Sequence, residues 1–379
     1  MLRCSSCRRS FDLEEPAWRC TCGGILELEP PDAFHRDSIE TSEPGFWRYS
    51  AALPPLTRRE RLRLGEVITP LVEAQLNGVK VLLKLDYMLP SGSYKDRGAA
   101  LLMSVLRKAG VSKVFDDSSG NAGAAAAAYA AAAGIDCTIL VPAQNSPGKL
   151  AQISAYGADV VPINGSRAAV GEAAMAMANT SFYASHVWHP VFNLGIATLG
   201  FEIWEQLGYR APSAIFVPAG QGSLVLGLAR AYESLLRARE VDARPAIFAV
   251  QTRAFSALAV SFDGQDDSAN ARDVDDRTLA EGIACRQPLR ERLVVDALRQ
   301  SSGRALAVTE HQIAEALTVL VRSGFYVEPT GAVGAAGVRQ ARLHDSAGPV
   351  VVVLTGSGLK AGQQIAEILK PKDASEGRL

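Results

Sequence analysis

The sequence predicts an α/β fold in which parallel sheets are covered by helices, and three observations support this class. Strand-like and helix-like segments alternate from Val79 to the C-terminal region, which is the pattern of repeated βαβ units. Short apolar runs such as VVVVL (350–354) are continuous, as expected for strands buried on both faces. The chain has 379 residues, which is enough for two or three domains. Two α/β domains are therefore expected.

Each element is indicated by its own pattern: β-branched apolar runs predict strands, and longer Ala- and Leu-rich amphipathic runs predict helices. In the first half these are strand 79–88, helix 98–110, strand 111–119, helix 122–134, strand 136–143, helix 148–159, strand 160–165 and helix 168–181. In the second half they are helix 200–208, strand 214–220, helix 223–238, strand 245–252, helices 311–324 and 330–343, strand 349–358 and helix 359–370.

Composition and charge exclude several classes of function. Apolar residues make up 48% of the chain and charged residues 21%, as in ordinary globular proteins. The net charge of −1 provides no general attraction to nucleic acid or to anionic membranes. No apolar run has the length of a membrane span, and the first residues, MLRCSSCRRSFDLEE, do not resemble a secretory signal. The sequence therefore predicts a cytoplasmic enzyme that binds neither nucleic acid nor membrane.

Polar, glycine-rich loops follow several of the predicted strands. The first, PSGSYKDRG (90–98), places Lys95 at the start of a helix, and three similar turns are DDSSGNAG (116–123), PAGQGSL (218–224) and LTGSGLK (354–360). In parallel sheets ligands bind where strands end and helices begin. Glycine permits close backbone approach, and helix N-termini offer N–H groups to phosphate. None of the turns has the spacing of a P-loop or of a dinucleotide fingerprint.

The chemical role of Lys95 depends on this setting. A lysine in a loop that leads into a helix can be a salt-bridge partner, a phosphate clamp or a nucleophilic amine. A pyridoxal phosphate site requires an amine for a Schiff base, N–H donors for the phosphate and polar groups that orient the ring. The loops around Lys95, Asn121 and Gly220 offer all three. The sequence therefore predicts a pyridoxal phosphate enzyme.

In their order and spacing, PSGSYKDRG, SSGNAG, PAGQGSL and LTGSGLK resemble the fold type II pyridoxal-phosphate-dependent enzymes, and the threonine synthases in particular. The resemblance extends from about Thr69 to about Lys360. It implies a two-domain architecture, with residues 31–95 and 200–379 forming a large cofactor-binding domain and residues 96–199 a smaller mobile domain. It also implies a homodimer that acts at Cβ or Cγ of a small amino acid.

The resemblance also implies the roles of individual residues. Lys95 would form the Schiff base and later act as general acid and base, and Asn121 would bind the ring hydroxyl. Thr355 would face the pyridine nitrogen, with Ser357 as the alternative. Two further groups complete the site: the substrate carboxylate would lie against Ser118, Ser119, Gly120 and Ala122, and the cofactor phosphate against Gly220, Gln221, Gly222, Ser223 and Leu224.

Four cysteines are concentrated within residues 1–30. The spacings Cys4-x-x-Cys7 and Cys20-x-Cys22 place four thiols on two turns, which is the outline of a tetrahedral zinc site. Four sulfur ligands leave no open position, so the predicted role of Zn²⁺ is structural. An N-terminal zinc ribbon also occurs on some threonine synthases. The alternative is that the four are unconnected reduced thiols.

Other polar residues are expected to have structural roles. His186 and His189 precede a helix, where packing and capping explain them, and Glu328 precedes a proline at the start of another helix. Tyr94 and Asp96 are expected to shape the Lys95 loop.

On the substrate side, Phe192 and Ser357 occupy positions where threonine synthases have polar or basic residues, which predicts weak binding of a phosphate leaving group. The alternatives are a dehydratase-like enzyme that eliminates or replaces a group at Cβ and, in another class, a non-catalytic relative that binds the cofactor or a partner.

Overall fold

The computed structural model describes residues 1–13, 15–76, 78–144, 147–264, 277–341 and 348–370, with the side chains of residues 147–149 omitted. Three sheets are present in these ranges. The predicted α/β class is confirmed, because two of the sheets are wholly or mostly parallel and are covered by helices. No helix in the described residues is long and apolar enough to cross a membrane.

The N-terminal sheet is small and antiparallel. Its strands are β1 (Leu2–Cys4), β2 (Ser10–Phe11) and β3 (Leu26–Leu28), in the order β2-β1-β3. Its apolar side chains form a separate small core. Trp18 lies outside that core and packs edge-on against Tyr183 and Trp188, with ring centroids 5.2 and 5.5 Å apart. The N-terminal segment is therefore attached to the main body through aromatic contacts.

The largest sheet has six strands in the order β12-β11-β10-β13-β5-β4. All neighbours are parallel except β4 and β5, which form an antiparallel edge pair. The strands are β4 (Leu71–Leu76), β5 (Val79–Lys84), β10 (Ala214–Pro218), β11 (Ala246–Thr252), β12 (Arg304–Val308) and β13 (Val350–Val353). Every residue of β10 and β13 is buried, which explains their continuous apolar runs.

The third sheet has four parallel strands in the order β8-β7-β6-β9. They are β6 (Lys113–Asp116), β7 (Asp136–Pro142), β8 (Asp159–Ile163) and β9 (Phe182–Tyr183). All four lie within the range 96–199, whereas the six-stranded sheet is built from strands on either side of it. The domain boundaries themselves remain a prediction.

Helices cover both the six-stranded and the four-stranded sheet. They are α1 (Lys95–Lys108), α2 (Asn121–Ala133), α3 (Pro147–Ala155), α4 (Arg167–Met177), α5 (Pro190–Gln206), α6 (Ser223–Arg237), α7 (Ala257–Asp263), α8 (Glu291–Gln300), α9 (Glu310–Arg322), α10 (Pro329–Gly337) and α11 (Gly362–Leu369). Helix α5 packs against both α1 and α6, and its residues from Pro190 to Trp204 are all buried.

Several elements differ from the sequence-based expectation. Strands β4 and β12 and helices α7 and α8 were not predicted, and α5 begins ten residues before the predicted start at 200. Strand β4 alternates partly buried and exposed residues at the sheet edge, so its sequence lacks the continuous apolar run of the central strands. Helix α5 is buried on every side, so the segment before residue 200 is apolar all round and lacks the polar face that marks an amphipathic helix in a sequence.

A network of fully buried charges connects the large sheet to helices α1 and α5. The Arg97 guanidinium lies 2.8 Å from an Asp86 carboxylate oxygen and 2.9 Å from a Glu202 oxygen. Lys84, the last residue of β5, donates to Glu202 at 2.5 Å and to the Thr69 carbonyl at 2.6 Å. Burial alone would raise the pKa of Glu202, but Arg97 and Lys84 outweigh it and lower the pKa to about 2. The network thus contains two positive and two negative charges.

Replacing Arg97 should be far more harmful than replacing an exposed arginine. We expect Arg97→Met to lower the free energy of unfolding by about 3–5 kcal/mol, because it leaves Lys84 as the one cation of the network to balance the two buried carboxylates of Asp86 and Glu202. The matched control, Arg237→Met, removes an exposed i,i+4 pair with Glu233 and should cost at most about 1 kcal/mol. Urea unfolding followed by circular dichroism measures both. Equal losses for the two variants would contradict the structural role of the network.

Candidate functional site

The candidate site lies where loops after the central strands of the large sheet meet the loop after β6. Strand β13 lies between β5 and β10, so the loops that follow these three strands are neighbours. The Tyr94 amide donates to the Thr355 carbonyl at 3.0 Å, and the Ser357 amide donates to the Gly92 carbonyl at 2.9 Å. The Tyr94 hydroxyl lies 3.2 Å from Ser223 Oγ. These bonds join the three loops into one surface.

Lys95 is the first residue of α1, and its amine faces two aromatic rings. The Nζ atom lies 4.7 Å from the ring centroid of Tyr94 and 5.5 Å from that of Phe192. Phe192 is itself buried, and a Cβ on Gly98 would come within 2.6 Å of its ring. Within the described residues, Lys95 forms no ion pair. In that part of the chain, no carboxylate supports the interpretation of Lys95 as a salt-bridge partner.

The loop before Lys95 is fixed by its neighbour Asp96. This carboxylate is fully buried and accepts hydrogen bonds from the Ser91 amide, at 2.6 Å, and from the Ser91 hydroxyl. Burial raises the pKa of Asp96 to about 7, although the hydrogen bonds from Ser91 oppose the rise. Asp96 thus closes the turn, as expected for a residue that shapes the loop.

The loop between β10 and α6 has the geometry of an anion site. Gly222 has a positive φ of 80° and is the N-cap of α6, and a Cβ there would lie 2.4 Å from Val294 Cγ2. Only glycine satisfies both conditions. The Gln221 side chain is occupied, because its Oε1 accepts from the Leu289 amide at 2.9 Å. The first N–H groups of α6 have no partner within the helix and can bind a phosphate.

The loop between β6 and α2 contains the residues expected to bind the substrate carboxylate. Gly120 is the N-cap of α2, and its amide donates to Ser118 Oγ at 3.4 Å. A Cβ on Gly123 would lie 1.8 Å from the Ser118 carbonyl oxygen, so the helix start packs tightly against the loop. Ser119 lies in the same loop, and Ala122 follows Asn121 in the first turn, where amides remain available to an anion.

Two buried hydroxyls in these loops have no hydrogen-bond partner among the described residues, and both are close to Lys95 in the fold. They belong to Ser93 and Thr355. Leaving such a group unpaired costs about 1–3 kcal/mol, which a polar ligand atom would recover. The alternative residue, Ser357, already accepts a hydrogen bond from the Leu359 amide at 3.3 Å. Of the two residues, Thr355 thus carries the buried hydroxyl that has no partner in the described part of the chain.

Sequence reasoning missed two residues that contact Asn121. Asn121 Nδ2 donates to Glu328 Oε1 at 2.8 Å, and Lys360 Nζ donates to Asn121 Oδ1 at 2.9 Å. Glu328 is the N-cap of α10, as its sequence context predicts, but its side chain forms no capping bond. Lys360 is the last residue of the LTGSGLK turn. Its place in this turn was the only feature of the sequence that could have linked it to the site.

The four N-terminal cysteines come together. Their sulfur atoms all lie within 4.8 Å of one another, with Cys4 and Cys22 at 3.5 Å and Cys7 and Cys20 also at 3.5 Å. The Cys7 amide donates to Cys4 Sγ at 3.4 Å and lowers the pKa of Cys4 to about 6. Thiolates at this spacing form a suitable set of ligands for a tetrahedrally coordinated metal ion.

Of the two histidines before α5, His189 has the capping role expected of it, whereas the carboxylate beside His186 was not predicted. His189 Nδ1 accepts from the Val191 amide at 3.3 Å and caps the helix. Burial lowers the pKa of His189 to about 3, so its ring is neutral. His186 Nδ1 lies 3.4 Å from the buried carboxylate of Asp116 and packs against Phe192.

Similarity to known proteins extends over most of the chain. The sequence profile of the family described as pyridoxal-phosphate dependent enzyme matches residues 62–356. The chain is 29% identical to the threonine synthase of Methanocaldococcus jannaschii, over 94% of this chain and 92% of that protein. It is 32% identical to the threonine synthase of Mycobacterium tuberculosis, over 77% of this chain and 81% of that protein. The matched family residues begin after the four-cysteine segment.

Solved structures share the fold. A threonine deaminase from T.th. has a TM-score of 0.65 and 27% sequence identity, and the match covers 76% of this chain and 92% of that one. The processed threonine deaminase isoform 2 from Solanum lycopersicum has a TM-score of 0.68 at 20% identity, with 92% of each chain covered. Because its identity is low, the second match supports the fold alone.

Proposed function

The chain belongs to the pyridoxal-phosphate-dependent enzyme family, and we propose on this premise that it is a threonine synthase-like lyase. In this reaction O-phosphohomoserine and water yield threonine and phosphate. The observation that carries the proposal is the convergence of the Lys95 amine, the amide-rich start of α6 and the unpaired hydroxyl of Thr355. The similarity to two threonine synthases supports the choice of substrate.

The residues present fit the cofactor. Lys95 would hold its aldehyde carbon, and Asn121 would bind the ring hydroxyl. Thr355 would donate to or accept from the pyridine nitrogen. The phosphate would lie against the amides of the α6 start, from Gly220, Gln221, Gly222, Ser223 and Leu224. When bound, pyridoxal phosphate withdraws electrons from the substrate's Cα and so permits chemistry at Cβ and Cγ.

The protein's own groups would then orient the substrate and move protons. The amides and hydroxyls of Ser118, Ser119, Gly120 and Ala122 would bind the carboxylate at the start of α2, where the helix dipole favours a negative charge. The Lys95 amine lies over the rings of Tyr94 and Phe192 and would transfer protons at the substrate carbons. A neutral hydroxyl at Thr355 would leave the pyridine nitrogen less protonated than a carboxylate would.

The alternative, a dehydratase-like β-eliminating enzyme, is not favoured by the similarity to threonine synthases, although one residue bears on the choice of leaving group. Phe192 is buried beside the Lys95 amine and offers no charge to a phosphate, whereas arginine binds phosphate bidentately.

The resemblance to the family also supports a proposal about architecture. We propose that residues 31–95 and 200–379 form one domain, that residues 96–199 form another, and that the protein is a homodimer. A cytoplasmic location is proposed with them.

We also propose that the N-terminal segment is a zinc ribbon. Cys4, Cys7, Cys20 and Cys22 would bind one Zn²⁺, and the clustering of their sulfur atoms supports this. A segment of about 30 residues buries too little apolar surface to fold without a metal or another staple. Four sulfur ligands assign the ion a structural role.

The first test concerns Lys95. The purified protein should bind pyridoxal phosphate, and borohydride reduction should leave the cofactor's mass on the peptide that contains Lys95. Lys95→Ala should form no adduct and should lose activity by roughly 10²- to 10⁴-fold, because it lacks the acid–base amine. Lys113→Met, at an exposed lysine, should retain both the adduct and the activity. An adduct on another lysine would show that the assignment is wrong.

The second test separates the two reactions. O-phosphohomoserine, O-acetylhomoserine, O-acetylserine, serine and threonine are compared by their specificity constants. Threonine and phosphate formed in equal amounts support the synthase, whereas faster formation of a keto acid and ammonia from serine or threonine supports the dehydratase-like alternative. The assay also checks the sequence-based expectation that O-phosphohomoserine is used roughly 10- to 100-fold less well than an ester with a less charged leaving group, as expected for one missing charge-assisted contact.

The third test concerns the metal. Metal analysis should find about one zinc per chain, as expected for a four-thiolate site. Cys4→Ser should lose the zinc and change the fluorescence of Trp18, which packs on Tyr183 and Trp188, while cofactor binding persists. Cys285→Ser, outside the cluster, should keep the zinc. A metal-free wild-type protein with an unchanged Trp18 signal after chelation would contradict the zinc ribbon.

A further inference from the structure

The Asn121 side chain is held from two sides by residues of the other sheet's loops. Asn121 follows β6 of the four-stranded sheet, whereas Glu328 and Lys360 belong to segments that adjoin the six-stranded sheet. Glu328 Oε1 lies 2.8 Å from Asn121 Nδ2, and Lys360 Nζ lies 2.9 Å from Asn121 Oδ1. The sequence separations are 207 and 239 residues. Both contacts therefore depend on the folded structure.

The chemistry of these partners fixes the orientation of the amide. An ionised carboxylate only accepts hydrogen bonds, so the NH₂ group of Asn121 must face Glu328. The amide oxygen must then face Lys360, whose amine donates to it. Nδ2 carries two hydrogens, and the bond to Glu328 uses one. The second hydrogen remains available to a ligand oxygen.

Lys360 is placed for this contact by the backbone around it. It ends the short helical turn 358–360, which Ser357 caps. Gly92 has a positive φ of 84° and no side chain, and a Cβ there would lie 3.0 Å from Lys360 Cε. Burial lowers the pKa of Lys360, and the carboxylates of Glu328 and Asp96 oppose this shift. The lysine thus lies in a space that the glycine leaves open, and the charges of Glu328 and Asp96 favour its protonated form.

We propose that Lys360 is a positioning residue that, together with Glu328, keeps one Asn121 N–H directed at the ring hydroxyl of the cofactor. The inference rests on the proposed function, because it assumes that Asn121 binds this hydroxyl. It extends that function by a residue that acts through Asn121.

The test uses Lys360→Met, which keeps the length of the side chain and removes the donor. Its affinity for pyridoxal phosphate should fall about three- to tenfold, because the hydrogen bond from Asn121 to the cofactor is weakened but not removed. An N–H donor stabilises the anionic ring oxygen, so the absorption spectrum of the bound cofactor should shift toward the form with a protonated ring oxygen. In Glu328→Gln the new side-chain amide can donate or accept, so it no longer fixes which end of the Asn121 amide faces it. This variant should shift the spectrum in the same direction. Lys113→Met is the control and should change neither readout.

A double-mutant cycle shows whether Lys360 acts through Asn121. In an Asn121→Ala background, Lys360→Met should have no further effect on affinity or spectrum, because the residue it positions is gone. Additive effects would overturn the proposal, and so would an unchanged affinity and spectrum in Lys360→Met alone. A wild-type protein that fails to bind the cofactor would overturn the proposed function itself, and this is measured before any variant is made.

Discussion

The structure depends on the buried network of Lys84, Asp86, Arg97 and Glu202. All four side chains are fully shielded from water. Removing single charges from water costs several kcal/mol each, so such a group is tolerated only when the charges are balanced and hydrogen bonded. The Arg97 guanidinium meets this condition through paired contacts to Asp86 and Glu202. The network therefore permits one arrangement of β5, α1 and α5.

This constraint determines the position of Lys95. Asp86 precedes the loop 90–94, and Arg97 follows it, so both ends of the loop are anchored in the same network. Lys95 lies two residues before Arg97 at the start of α1. The loop itself is closed by Asp96 and Ser91. An amine on a segment held at both ends keeps its place relative to the neighbouring loops, which catalysis and cofactor binding both require.

The remaining site is assembled from loops that are distant in sequence. Because β13 lies between β5 and β10, their following loops share one edge, and hydrogen bonds between Tyr94, Thr355, Ser357 and Gly92 join two of them. The loop after β6 comes from the other sheet, and Glu328 and Lys360 hold its Asn121 across the gap. Packing at this junction thus couples the two sheets through the group expected to touch the cofactor.

The sequence by itself determined the features that arise from local physics. Continuous apolar runs indicated the central strands, and glycines in strand-to-helix turns indicated the loops around Lys95, Asn121, Gly222 and Thr355. Their order in the chain indicated the family, to which the chain belongs. Edge strand β4 was missed because its burial alternates, and the start of α5 was missed because this helix is buried all round.

Only the tertiary structure decided which side chains meet in the site. Glu328 looks like an ordinary helix start and Lys360 like the end of a turn, since nothing within a few residues of either distinguishes them. Their contacts with Asn121 exist because the segment before α10 pairs with the loop after β13, where the Glu328 amide donates to the Gly356 carbonyl at 3.0 Å, and the strand order of the six-stranded sheet places β13 at its centre. Strand order is set by long-range packing, which local patterns of residues do not encode.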